Sequence, residues 1–239
     1  MTKIPNTIPE SMGACSFLME LGSQERERLL TMSERRDYAK GDFIFRAGSP
    51  AEHVYLLIDG RVKIFELSSL GREVILWFCF NGEIFGLAET PRGTPREVYA
   101  MACTATRVYA IKNRDFRDFL GTNPKAAMLV IDLLSCRMRG LGSMLLNVSS
   151  EDVATRVIKL LTRLGAAYGL KKERHLELGI SLTHQELADM IGTTRQSVST
   201  VMGELRRQGL VEMRDHRIVL TGELGAEYHQ QPDMLKNRL

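Results

Sequence analysis

A chain of 239 residues with 44% hydrophobic content is long enough for two modest domains or one large one. Its net charge of +3 and isoelectric point near 8.7 admit a polyanionic partner but fall short of a protein that coats nucleic acid indiscriminately. No charged segment followed by an apolar run opens the chain, and no apolar run is long enough to span a bilayer; this argues against a signal peptide or membrane span and predicts a cytoplasmic protein. The cysteines, Cys15, Cys79, Cys103 and Cys136, are too widely spaced for a CxxC metal or cluster site and read as reduced, mostly buried thiols. No Gly-rich phosphate loop, HExxH pair or nucleophile elbow suggests an enzyme, and no metal site is expected.

In chain order, residues 16–35 repeat apolar positions at helical spacing, with Gly22 as a break, Ser23 as a candidate N-cap and Glu25 in the following first turn. One or two short helices are expected there. From about Arg36 to Lys112 the texture becomes short β-rich runs separated by turns at Gly41, Gly48, Gly60, Gly71, Gly82 and Gly86, which predicts an antiparallel sandwich or roll. After Asn113 the helical period returns, first in RDFRDFLGTNP and then from about Pro124 to Val148. In the second segment Ala127, Ile131, Leu134, Met138, Leu141, Leu145 and Val148 alternate four and three residues apart. Such an a/d seam over about three heptads suits pairing with a second copy of the same helix, hence a homodimer. Gly140 and Gly142 lower its intrinsic helicity by roughly 1 kcal/mol each relative to Ala. NVSSE at 147–151 reads as a hinge, with Ser149 or Ser150 capping a helix from about Asp152 to Tyr168. LKKERHLELGIS then reads as a loop and a short strand.

The stretch Leu182–Leu210 is the most specific in the chain. Thr183 caps a short helix with Glu186 at the reciprocal position, and Leu187, Ala188 and Ile191 form its apolar face. Gly192 breaks that helix, and Thr193 or Thr194 starts a second one whose core positions are Val198, Val201, Met202 and Leu205. Arg195, Gln196, Ser199 and Thr200 are left facing outward near its start. Arg pairs bidentately with guanine, Gln with adenine, and Ser or Thr with bases or phosphates. A second helix entering the major groove by its N-terminal residues is helix-turn-helix docking to double-stranded DNA. Thr183, Thr194 and Arg206 are further candidate contacts, and LVEMRDHRIVLT reads as a two-stranded wing with its turn near Asp215 and His216.

These residues resemble the CRP/FNR family of bacterial transcription regulators from about Cys15 to Thr221: the β-roll turn spacing (KGDFIFRAGSPAEHVYLLIDGRVKIF, GREVIL, NGEIFG), the long helix and the helix-turn-helix stand in that family's order. The resemblance implies an α+β protein with a cyclic-nucleotide-binding-type β-roll at 1–122, a dimerisation helix and hinge at 123–150, and a winged helix-turn-helix at 151–239. It also implies a homodimer reading a palindrome with half-site centres about 10–10.5 base pairs apart, and RNA polymerase as a partner. Arg195 matches the family's guanine-reading Arg, whereas Gln196 and Thr200 stand where many members carry Glu and Arg. The Arg-Gln-x-x-Ser-Thr pattern is similar to the recognition helix of the family's haem-containing carbon-monoxide sensor.

Members that bind cyclic AMP hold its phosphate and ribose with Gly-Glu and Arg-Ser in one loop and its base with Thr-Ser on the long helix. In the effector region of this chain, Gly86 and Arg96 are retained, but Leu87, Glu97, Leu141 and Gly142 stand at the other positions. Losing those polar partners and adding a carboxylate beside a phosphate costs on the order of several kcal/mol. The resemblance therefore implies a signal other than cyclic AMP, or constitutive activity. An iron–sulfur sensor is disfavoured because only Cys15 lies where that branch carries closely spaced cysteines. No cofactor is expected. The alternatives are a haem- or thiol-based gas or redox sensor, with His53, Cys79, Cys103 or a Met as haem ligand, and a cyclic-nucleotide regulator with an altered pocket.

Overall fold

The computed structural model describes residues 17–172, 175–215, 217–222 and 224, and for residues 143, 146–150 and 167 the backbone alone. Cys15 and His216 lie outside the described residues. The chain divides into two compact units, with the boundary between Arg137 and Met138. The first opens with α1 (Phe17–Glu20) and α2 (Ser23–Thr31). Strands β1 (Ser33–Tyr38), β2 (Phe43–Phe45), β3 (His53–Asp59), β4 (Val62–Leu67), β5 (Glu73–Cys79), β6 (Ile84–Phe85), β7 (Tyr99–Ala102) and β8 (Thr106–Lys112) follow. They form two four-stranded antiparallel sheets, ordered β1-β8-β3-β6 and β2-β7-β4-β5. α3 (Asn113–Thr122) and the start of α4 (Pro124–Ser150) complete the unit.

The continuous apolar run of β3 has a direct structural reason, because both of its faces are buried. Val54 and Leu56 pack with Phe17, Leu29, Phe116, Phe119 and, from α4, Ala126, Val130 and Leu133. Their neighbours Tyr55 and Leu57 point the other way, into the roll, against Phe45, Ile64, Phe85 and Val108. Tyr55 stacks on Phe85 with ring centroids 5.3 Å apart. The β3–β4 turn requires glycine: Gly60 has φ +106°, and a Cβ there would sit 2.6 Å from the Ala105 carbonyl oxygen.

The second unit carries the rest of α4, then α5 (Val153–Tyr168), β9 (Gly169–Lys171), β10 (Leu176–Leu178), α6 (His184–Ile191), α7 (Arg195–Arg207), β11 (Val211–Arg214) and β12 (Arg217–Leu220). Its sheet runs β11-β12-β10-β9. Leu160, Leu161 and Leu164 of α5 are buried, as are Leu187 and Ala188 of α6, Met202 and Leu205 of α7, and Ile218, Val219 and Leu220 of the wing. A β-roll, a long helix and a winged helix-turn-helix are thus present in the expected order.

Local expectations need correction at several places. Ser23 is the first residue of α2 and Gly22 occupies its N-cap without a side-chain bond. β1 begins at Ser33, within the stretch read as helical, because SERRDY pairs in register with β8 from Ser33↔Ile111 to Tyr38↔Thr106. Ser149 and Ser150 lie inside α4 and do not cap α5. Asp152 does so, its Oδ1 accepting from the Thr155 N–H at 2.8 Å, which holds its carboxyl below the usual range. The segment after α5 forms two strands, β9 and β10, where a loop and one strand were expected.

Candidate nucleic-acid interface

The helix-turn-helix is assembled from paired caps. Thr183 Oγ1 accepts from the Glu186 N–H at 3.1 Å, while Glu186 Oε2 accepts from the Thr183 N–H at 2.8 Å. α6 ends at Gly192, whose left-handed φ of +64° reverses the chain in a conformation that a side chain would strain. Arg156 of α5 donates from Nη1 to the last α6 carbonyl, Ile191 O, at 2.7 Å, tying this turn to the scaffold. Thr194 then caps α7, its Oγ1 accepting from the Ser197 N–H at 3.1 Å.

Val198, Met202 and Leu205 of α7 are buried and Val201 is half-buried, so one face of the helix is spent on the core. Arg195, Gln196, Ser199, Thr200, Gly203 and Arg206 are exposed. Thr200 Oγ1 donates to the Gln196 carbonyl at 3.1 Å, leaving its lone pairs and methyl outward. Ser199 Oγ lies 2.9 Å from Nδ1 of His184, the first residue of α6. The outward face offers a guanidinium, an amide, the Ser199 hydroxyl and the Thr200 lone pairs at a positive helix N-terminus, a surface suited to the phosphates and base edges of a duplex. Thr183 and Thr194 are committed to capping, and Arg206 extends the exposed stripe to the last turn.

In the β-roll, Gly86 and Arg96 meet around a site that is already filled, whereas the Leu87 side chain is buried in the other core cluster with Phe17, Val54 and Leu56. Arg96 is 3% exposed. Its Nη1 donates to Glu89 Oε2 at 2.8 Å and to Gly86 O at 3.0 Å, its Nη2 donates to the His53 carbonyl, and its guanidinium lies 4.2 Å from the Phe45 ring centroid. The other Glu89 oxygen accepts from the Glu97 N–H at 3.3 Å. The carboxylate beside Arg96 is therefore that of Glu89, in place of the expected Glu97, whose side chain is exposed. No spacing rule in an irregular loop points from Arg96 back to Glu89, so sequence reasoning missed it. Leu141 and Gly142, expected to complete the pocket, belong to the second unit.

Comparison with known proteins gives a cyclic nucleotide-binding domain over residues 35–123 and a Crp-like helix-turn-helix domain over residues 155–223. The chain belongs to the CRP/FNR family of transcription regulators. It is 28% identical to the global nitrogen regulator of Synechococcus elongatus, over 86% of this chain and 91% of that protein. A CRP-like cAMP-activated global transcriptional regulator of Mycobacterium tuberculosis is 24% identical over 77% of this chain and 83% of its own length. Among solved structures, the c-di-GMP responsive global regulator CLP of Xanthomonas campestris superposes with a TM-score of 0.69 at 26% identity, covering 84% of this chain and all of that one.

In this CRP/FNR regulator α4 is two-faced. Ala126, Val130 and Leu133 lie in the β-roll core, whereas Ile131, Leu134, Met138 and Leu145 are exposed, Met138 and Leu145 at 72% each. Ala127 and Leu141 are half-buried, and the Val148 side chain lies outside the described residues. Arg137, on the buried side, donates to the Ile84 carbonyl at 2.9 Å, lies over the Trp77 ring and sits 3.8 Å from both the Cys79 sulfur and Glu83 Oε2. Burial pushes the Glu83 carboxyl up to about 8 and the Cys79 thiol up to about 12. The residues weighed as haem ligands are dispersed: His53 Nε2 is 3.3 Å from Arg36, burial and that guanidinium holding its imidazole below the usual value, while Cys79 lies in the other sheet beside Arg137 and Cys103 is half-buried. No group of three or more His, Cys, Asp or Glu is placed to hold a metal among the described residues, and no described helix is long and apolar enough to cross a membrane.

Proposed function

We propose that this CRP/FNR regulator acts as a cytoplasmic homodimer that inserts Arg195, Gln196, Ser199 and Thr200 of each α7 into successive major grooves of a palindromic site. It would pair through the α4 stripe of Ala127, Ile131, Leu134, Met138, Leu141, Leu145 and Val148. The observation that carries the reading is the division of α7 into a face buried in the core and an exposed face of base-reading residue types at the helix N-terminus. Exposure of the apolar α4 stripe supports the dimer, since a row of large apolar side chains is stable in water only when covered. RNA polymerase is the partner expected of a regulator bound beside a promoter.

The signal is one other than cyclic AMP. Arg96 already holds an internal carboxylate, and a cyclic phosphate would have to displace Glu89 from a buried ion pair. Relatives of this fold include both a cAMP-activated and a c-di-GMP responsive regulator, so the fold itself does not select the ligand.

The test is selection of bound sequences from a random duplex pool by the purified protein, with and without cyclic AMP, alongside Arg195→Ala. A palindrome enriched in both conditions, and bound about 1–3 kcal/mol more weakly by the variant, is the expected result. Enrichment only with cyclic AMP would overturn the account of the pocket; full specificity in Arg195→Ala would overturn that of α7.

A further inference from the structure

We infer that His184 is a specificity-determining residue: through its ring nitrogen it sets which hydrogen-bonding face Ser199 turns to a base. This rests on the reading of α7 as the base-reading helix. A serine hydroxyl is one donor and two acceptor sites on a free rotor, so an exposed serine alone accommodates a donor or an acceptor on a base edge equally well. Here the rotor is not free. His184 leads α6, directly after its N-cap Thr183, and the capping box that anchors Thr183 through Glu186 delivers the imidazole to the exposed face of the neighbouring helix. There Nδ1 lies 2.9 Å from Ser199 Oγ.

Two arrangements satisfy this contact, and each reads differently. If the hydroxyl donates to Nδ1, the serine presents only lone pairs and selects the amino groups of adenine or cytosine. If Nδ1–H donates, it occupies one lone pair and turns the hydroxyl proton outward, toward an acceptor such as a purine N7, guanine O6 or thymine O4. The first arrangement turns an ambivalent group into a pure acceptor, and the second takes one of its two acceptor sites and fixes the direction of its proton, so in each the imidazole restricts what Ser199 offers a base. His184 need not touch DNA to do so; it is a positioning residue, acting through Ser199 from a helix assigned only to support α7.

The experiment compares base preferences across the selected half-site for the full-length wild type, His184→Ala, His184→Gln, Ser199→Ala, the His184→Ala/Ser199→Ala double variant and Arg195→Ala. In His184→Ala, discrimination at the base pair read by Ser199 falls about two- to tenfold, the worth of one hydrogen bond, with other positions unchanged. Ser199→Ala loses preference at the same pair, and the double variant is no worse than Ser199→Ala. His184→Gln, whose amide also reaches a hydroxyl, recovers part of the preference and guards against a folding artefact. Wild-type preferences in His184→Ala overturn the inference. So does uniform weakening at all sequences with a shallower salt dependence, which would make His184 a phosphate contact. If Arg195→Ala also leaves selection unchanged, the reading of α7 fails; if Arg195→Ala alone alters it, only the coupling to His184 fails.

Discussion

Glu83 shows how burial changes the chemistry of a single side chain. Its carboxyl is out of water, and Arg137 at 3.8 Å is too distant to offset the desolvation, so its pKa rises to about 8 from an ordinary 4.5. In the folded state Glu83 keeps a proton that the unfolded chain releases above about pH 4.5. Its contribution to stability is therefore fully present below that pH and is lost as pH rises toward 8, by up to about 1.4 kcal/mol per pH unit. Glu83→Gln, a permanently neutral mimic, should flatten the fall in melting temperature between pH 5 and 8; an unchanged slope would show that Glu83 is ionised in the fold. Glu89 has a closer partner, its Oε2 lying 2.8 Å from Arg96 Nη1. Glu89→Ala leaves the Arg96 guanidinium buried without its carboxylate and should cost about 3–5 kcal/mol in denaturant unfolding. A near-neutral result would mean that water or another group reaches Arg96.

At the scale of the element, α7 carries a glycine in the middle of its exposed face. Gly203 sits on its exposed face in line with Ser199 and Arg206, and a Cβ there meets nothing within 4 Å. A glycine inside a helix costs about 0.5–1 kcal/mol relative to alanine. Gly203→Ala should therefore stabilise the free protein by about that amount, measured by chemical denaturation. Weaker DNA binding by the stabilised variant would mean that the glycine serves a close approach of the duplex. The remainder of α7 was legible from periodicity: Val198, Met202 and Leu205 recur at three- and four-residue spacing and are the buried positions. Boundaries were less legible. Ser149 and Ser150 have good capping chemistry, but α4 continues through both and leaves the cap to Asp152. SERRDY carries little strand signal, yet becomes β1 because β8 offers it an antiparallel edge.

For the whole molecule, the proposed dimer rests on the exposed α4 stripe. Ile131 is 54% exposed in the single chain, so Ile131→Asp should leave the β-roll folded while placing a charge in the proposed apolar seam. Sedimentation should report a monomer, with affinity for a palindrome reduced toward that for a half-site. A dimer that withstands the substitution would put the interface elsewhere.

The order of elements, the β-roll turns, the helix-turn-helix and the heptad stripe are all legible along the chain. Each is written in local spacing: the 3.6-residue helical period, glycine where φ must be positive, and caps three residues from their partners. Contacts between separate elements or within one irregular loop needed the folded chain: Arg96 with Glu89, Arg137 with Glu83, Arg156 with the backbone at the end of α6, and His184 with Ser199. Such contacts depend on how the chain brings distant groups together and on how much water is excluded around them, and neither has a period that can be read along the chain.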